Sequence, residues 1–143
     1  MVVGLDKNIN IVVENAKKIL GENTIVVFSS DNGGSPWFGG LNTPLRSGKM
    51  TPFEGGTRVP AFMLDFSKKY SKTGVSKQIF HISDWLPTFL SWAGASDLVS
   101  DMDLDGLDQS EALINDKLVR NDVVLEMVTS DDTHDHSHSI GYR

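Results

Sequence analysis

Thr24-Ile25-Val26-Val27-Phe28-Ser29-Ser30-Asp31-Asn32-Gly33-Gly34 is the stretch on which the fold turns. Its first five residues are a continuous apolar, β-branched run without alternation. That pattern suits a strand covered on both faces by helices, and so a parallel or mixed α/β sheet. Directly after the run, Asp31 and Asn32 would project their side-chain oxygens at the carboxyl end of the strand, where open α/β sheets bind ligands. A carboxylate and an amide carbonyl are hard oxygen donors suited to Ca²⁺ or Mg²⁺, and the two glycines allow a tight turn. Taken alone, Asp-Asn-Gly-Gly reads more readily as an Asx turn than as a metal site.

Upstream, Leu5, Ile9, Val12, Val13, Ala16, Ile19 and Leu20 recur at three- and four-residue spacing, with Lys17 and Lys18 late and Gly21 just after. This predicts an amphipathic helix with a glycine stop. Downstream, seven of the 13 glycines lie between Ser29 and Gly56 with Pro36, Pro44 and Pro52, which predicts a long loop of the kind that carries function. Arg58 to Leu64 resumes as a strand with Pro60 near its start. Ser83 is placed to cap a helix running through Ala93, with Trp85, Leu86, Phe89, Leu90 and Ala93 as its buried stripe and Gly94 as its end. Beyond Ala95 the chain is acidic and polar, with a modest helix expected near Gln109 to Ile114 and a strand-like run from Val123 to Val128.

The 143 residues carry a formal net charge of -6 with scattered basic residues, which argues against a nucleic-acid groove. No apolar run approaches the ~20 residues of a membrane span. With no cysteine there is no disulfide framework, thiolate zinc site or cysteine nucleophile within these residues. Asp101-Met102-Asp103-Leu104-Asp105-Gly106 imitates the start of an EF-hand loop, but Ala112 stands at the twelfth position and Glu111 falls one residue early, so it reads as an acidic loop. His134, His136 and His138 alternate in a polar segment, and a solvated stretch is the simpler reading than a metal site.

Asn42-Thr43-Pro44-Leu45-Arg46-Ser47-Gly48-Lys49 leads into Thr51-Pro52-Phe53-Glu54-Gly55-Gly56-Thr57-Arg58-Val59-Pro60. Together with the Asp-Asn-Gly-Gly strand end, and with His81 to Thr88 and Leu104-Asp105-Gly106, this order resembles the sulfatase family, most nearly its arylsulfatase B-like members. The resemblance implies an alkaline-phosphatase-like α/β/α sandwich with a mostly parallel sheet. Residues 1–115 would be the C-terminal part of the catalytic domain, and residues 116–143 the start of a smaller C-terminal subdomain. It implies a sulfuric ester hydrolase whose divalent cation, Ca²⁺ or Mg²⁺, is held in part by Asp31 and Asn32, and whose sulfate group is contacted by Lys49. Arg46, Glu54 and Arg58 read as braces of the loop through hydrogen bonds, and His81 as a structural histidine.

The family's nucleophile is a formylglycine made within a Cys/Ser-x-Pro-x-Arg motif, and no such motif occurs here; Asn42-Thr43-Pro44-Leu45-Arg46 reproduces only its second half. The expectation is therefore an enzyme fragment, inactive alone, whose partners are a sulfate-ester substrate, aryl or sugar, and the N-terminal part of the same domain. A lysosomal, secreted or periplasmic setting is implied by the resemblance alone. Two other readings stay open: a phosphate or phosphonate monoester hydrolase of the same superfamily, and a non-catalytic module that binds sulfated glycans.

Overall fold

The computed structural model describes residues 2–100 and 102–125. The order of elements is α1 (Val2–Leu20), β1 (Ile25–Ser29), a 3-10 turn (Pro36–Phe38), α2 (Glu54–Thr57), β2 (Ala61–Asp65), a second 3-10 turn (Ile82–Asp84), α3 (Trp85–Trp92), α4 (Ser96–Ser100) and α5 (Ser110–Asn115). The described residues fall into two compact units, one of 2–28 with 62–119 and one of 29–61 with 120–125.

In the first unit α1 ends as its sequence predicts: Gly21 takes φ 75° and gives its N–H to Lys17 O at 3.1 Å, the left-handed stop that glycine adopts without a Cβ penalty. Ile9, Val13 and Ala16 are half-buried on one side, while Val12, Ile19 and Leu20 are more than 60% exposed. Ile9 and Val13 line a groove of about 610 Å³ together with Phe62 and Leu64, which the period of two places on one face of β2.

The two strands pair antiparallel. Phe66 N–H reaches Thr24 O at 3.1 Å at one end and Ser30 N–H reaches Pro60 O at 3.1 Å at the other, with Phe28 and Phe62 stacked at 5.3 Å between them. A mixed sheet accommodates this pair. Every residue of β1 is half-buried, not covered on both faces as its composition predicts. The strand expected over Arg58 to Leu64 begins later, at Ala61, because α2 occupies 54–57 and is closed by Arg58 N–H on Glu54 O at 2.9 Å.

α3 corrects the sequence reading twice. Ser83 is not its cap: a 3-10 turn comes first, in which the His81 ring accepts from Ser83 N–H and the Asp84 carboxylate accepts from His81 N–H, a capping box with His81 as the N-cap. Nor is the expected stripe buried. Leu86, Phe89 and Ala93 are exposed, whereas Asp84, Pro87 and Thr88 are buried. Polar bonding draws this other face inward. Asp84 accepts N–H bonds from His81 (2.9 Å) and Leu107 (2.9 Å) and from the Gln109 side chain (2.8 Å), while Thr88 Oγ1 donates to Asp84 O at 2.6 Å and accepts from Gln109 N–H at 2.9 Å. Buried carboxylates are tolerated when their lone pairs are taken up in this way. The aromatic residues form a chain along α3, with ring centroids at 4.2 Å for Phe80–Trp85, 5.3 Å for Trp85–Phe89 and 5.9 Å for Phe89–Trp92.

The short helix α4 has no counterpart in the sequence reading, and α5 lies one residue later than predicted. Within 123–125 the chain forms no strand, only an isolated bridge residue at Val124; the rest of the expected run, and the three alternating histidines, lie outside the described residues.

Candidate functional site

The candidate residues stand in the second unit, on a loop that is tied to itself by backbone and side-chain hydrogen bonds. Two backbone bonds frame Asp31 and Asn32: Ser30 N–H on Pro60 O, and Gly33 N–H on Gly56 O at 2.8 Å. The two side chains are therefore presented from a short span of chain pinned at both ends, not from a free turn. A Cβ on Gly33 would lie 1.7 Å from Gly55 O, so only glycine lets the two passes of chain meet here. Inside the span, Ser30 Oγ donates to Asn32 O at 3.0 Å.

Asn32 Nδ2 donates to Gly33 O at 2.9 Å, while its carbonyl oxygen has no hydrogen-bond partner among the described residues and is available as a donor atom for a cation. The Asp31 carboxylate is exposed and makes no hydrogen bond or ion pair among the described residues. One anionic and one neutral hard oxygen on adjacent residues fit a Ca²⁺ or Mg²⁺ ion. They supply two ligands of the six to eight that Ca²⁺ takes, and among the described residues no group of three or more His, Cys, Asp or Glu is placed to share a metal. The pair fits the implied ion as part of a shell.

Lys49 enters through its backbone, with its N–H on Gly34 O at 3.2 Å, two residues beyond Asn32. Its side chain is exposed and pairs with no carboxylate among the described residues. Ser47 (φ 63°) and Met50 (φ 70°) flank it in left-handed backbone, a conformation that costs energy for residues with a Cβ and recurs where a loop is held for function.

The sequence reading missed the residue that organises this loop. Asn42 accepts Gly34 N–H at 2.9 Å and donates to Gly34 O at 2.8 Å and to Ser47 O at 3.0 Å, so one amide clamps the strand end to the approach to Lys49. The signal was an asparagine inside a glycine-rich loop, where its amide imitates a peptide group. Arg46 does brace the loop, but its guanidinium lies 3.9 Å over the Phe53 ring, a cation–π contact in place of the hydrogen bonds anticipated. Glu54 and Arg58 approach at 3.6 Å across one helical turn, a solvent-exposed pair of small energetic weight. His81 belongs to the first unit and is engaged with Ser83 Oγ at 2.8 Å.

Comparison with known proteins follows the same residues. The family model described as Sulfatase matches residues 1–95. Arylsulfatase J of Mus musculus is 44% identical over 91 residues, covering 64% of this chain and 15% of that protein. N-acetylgalactosamine-6-sulfatase of Canis lupus familiaris is 41% identical over 103 residues, covering 69% of this chain and 19% of its own length. The crystal structure of Ps i-CgsB superposes with a TM-score of 0.72 at 34% identity, over 82% of this chain and 26% of that one; Ps i-CgsB in complex with k-i-k-neocarrahexaose gives 0.69 at 35%, over 78% and 25%. The chain thus spans under a fifth of the length of these curated relatives.

Proposed function

The chain belongs to the sulfatase family, and from that premise we propose that it forms part of a sulfuric ester hydrolase in which Asp31 and Asn32 ligate the active-site divalent cation and Lys49 binds the sulfate group. The observation that carries this reading is the double backbone tie around Asp31 and Asn32, with Lys49 bound to the same turn through Gly34. A sulfate ester gathers negative charge on its oxygens as the S–O bond breaks, and preorganised positive charge lowers that barrier. The cation, when bound, supplies such charge and orients the ester. Lys49 supplies a second positive centre, held by backbone whose geometry is already set. Asp31 and Asn32 act on the substrate only through the cation they hold.

The nucleophile is not among these residues, since no Cys/Ser-x-Pro-x-Arg motif occurs in them. The mostly parallel sandwich, the formylglycine and a lysosomal, secreted or periplasmic location come with the family reading and belong to the proposal. Among the described residues no helix is long and apolar enough to cross a membrane.

Lys49→Ala, made in an enzyme that includes the remaining part of the catalytic domain, is expected to lower kcat for an aryl sulfate by two orders of magnitude or more, as loss of one preorganised charge commonly does, by roughly 100- to 1,000-fold. Unchanged kinetics would remove Lys49 from the site. The 143-residue chain by itself is expected to bind Ca²⁺ weakly, as a partial shell should, and to show no multiple turnover.

A further inference from the structure

Asn32-Gly33 is the one place in the sequence where glycine follows asparagine. That dipeptide carries chemistry of its own. A side-chain amide can be attacked by the backbone nitrogen of the next residue, and a following glycine leaves that nitrogen unscreened because it has no Cβ. Asparagine is thermolabile for this reason. Whether the reaction runs depends on the freedom of the Gly33 N–H, and the closed loop withholds it.

Gly33 is buried, and its N–H is given to Gly56 O at 2.8 Å. Two further bonds act on the same peptide. Ser30 Oγ donates at 3.0 Å to Asn32 O, the carbonyl of the peptide whose nitrogen is Gly33 N. A donor on that carbonyl polarises the peptide and strengthens the bond its N–H gives to Gly56, as along any hydrogen-bond chain. Asn32 Nδ2, the nitrogen that would depart, donates to Gly33 O at 2.9 Å. Gly55 O lies against Gly33 closely enough that no Cβ would fit, so the peptide cannot swing without parting the two passes of chain. All of these partners lie within residues 30–56, and the lock is internal to the loop.

We infer that Asn32-Gly33 is a self-modification site, held off in the closed loop and released when the Gly33–Gly56 bond opens. On opening, the Gly33 amide gives its proton to hydroxide, its nitrogen bonds to Asn32 Cγ, and the Cγ–Nδ2 bond breaks with loss of ammonia. The product is a succinimide ring. Water then adds to either imide carbonyl and reopens it: cleavage of the new Cγ–N bond leaves aspartate, and cleavage on the main-chain side leaves isoaspartate. Overall, water is consumed and ammonia released, with no other reactant.

The modification stands apart from the assignment of Asn32 as a cation ligand, but its consequence rests on that reading. Aspartate at position 32 sets a second carboxylate beside Asp31, and ligand charge raises Ca²⁺ affinity. Isoaspartate lengthens the main chain between the Ser30–Pro60 and Gly33–Gly56 ties, so both cannot keep their register. A loop that has once opened is thereby marked at the site itself.

Incubation of the 143-residue chain at mildly alkaline pH, in native buffer and in urea, tests this. The peptide containing residue 32 is followed by mass and by separation of its aspartate and isoaspartate forms, and exchange of the Gly33 amide is measured alongside. In urea, Asn32 is expected to be the fastest-modified asparagine of the chain. In native buffer its rate should fall roughly tenfold or more. That factor should match the exchange protection of the Gly33 N–H within about threefold, because one opening event exposes the same nitrogen to both reactions. Ser30→Ala should raise the native rate and lower the protection by about fivefold each, which is what one part-buried hydrogen bond contributes.

A native rate equal to that in urea overturns the inference. So does a rate that stays fixed in Ser30→Ala while the protection falls, since the Gly33 bond would then not be the gate. Asn32→Asp, which reproduces the aspartate product, is expected to bind Ca²⁺ about tenfold more tightly by calorimetry, and Asn32→Ala more weakly. If both bind Ca²⁺ as the unaltered chain does, the ligand reading fails and the modification site stands.

Discussion

Asp31 and Asp65 both stand at the end of a strand of the two-stranded sheet, and their surroundings are opposite. The Asp65 carboxylate is consumed by the protein: Oδ1 accepts from Ser67 N–H at 2.9 Å and from Ser67 Oγ at 2.6 Å, and Oδ2 from Tyr70 N–H at 2.6 Å. The Asp31 carboxylate is offered outward, with no partner among the described residues, while its backbone is held on both sides. A carboxylate used to fold a turn has its lone pairs occupied; one kept for a ligand has its backbone occupied instead. Asp84 is the extreme of the first kind, fully buried with three N–H donors on its oxygens.

The strongest way to break this contrast is to remove each carboxylate and read both stability and ion binding. Asp84→Ala leaves three N–H donors without their acceptor, the Gln109 side chain buried and the His81 and Leu107 backbone groups part-buried. It is expected to cost about 3 kcal/mol by urea unfolding, since an unsatisfied buried group costs about 1–3 kcal/mol and a part-buried one less. Asp31→Ala should change stability by under about 0.5 kcal/mol, as exposed substitutions usually do. It should also weaken Ca²⁺ binding roughly 100-fold by calorimetry, because the one anionic ligand that the described residues offer is gone. A large stability loss in Asp31→Ala, or intact Ca²⁺ binding, would show that Asp31 is another turn residue.

A smaller effect tests whether the frame matters as much as the ligand. Asn42→Ala leaves Gly34 N–H, Gly34 O and Ser47 O without their amide partner, at a site where water can replace it in part. The expected loss is about 1 kcal/mol. Hydrogen exchange should place that loss locally, with Gly34 N–H losing protection while the amides of α1 keep theirs. Protection unchanged at Gly34 would mean that the backbone ties alone hold the loop.

These cases show what was legible in the sequence. Local chemistry was: the α1 periodicity and Gly21 stop, the apolar β1 run, the breaker-rich loop, and Asp31-Asn32 at the strand end. What failed needed partners distant in sequence. The stripe assigned to α3 rested on apolar spacing, but Asp84, Thr88 and Gln109 bond across 21 to 25 residues and draw the polar face inward. Asn42 looked like a mismatch to a nucleophile motif because its contacts, to residues 34 and 47, lie eight and five positions away. The antiparallel sense of the β1–β2 pair followed from the chain returning through a loop of 31 residues, whose path composition does not encode.

The smallest expected effect belongs to Asp65, and its sign follows from its bonding. Burial acts to raise its pKa, but the Ser67 side-chain hydrogen bond and the backbone N–H groups of Tyr70, Ser67 and Lys68 outweigh burial and hold the carboxyl below the ordinary aspartate value. A depressed folded-state pKa means that the unfolded chain binds the proton more readily. The stabilisation is therefore complete above the unfolded value near pH 4 and is lost as the pH falls through the lower folded value. Acid titration should accordingly loosen the 65–70 turn, read as exchange of the Tyr70 amide, with that amide unchanged from pH 7 to 5 after correction for intrinsic exchange. Asp65→Asn should flatten the acid response, because its amide still offers one oxygen to the turn and has no proton to gain. If Asp31→Asn flattened the curve equally, the carboxylate at the end of β1 would be carrying structural bonds as Asp65 does, and the contrast between the two strand ends would be lost.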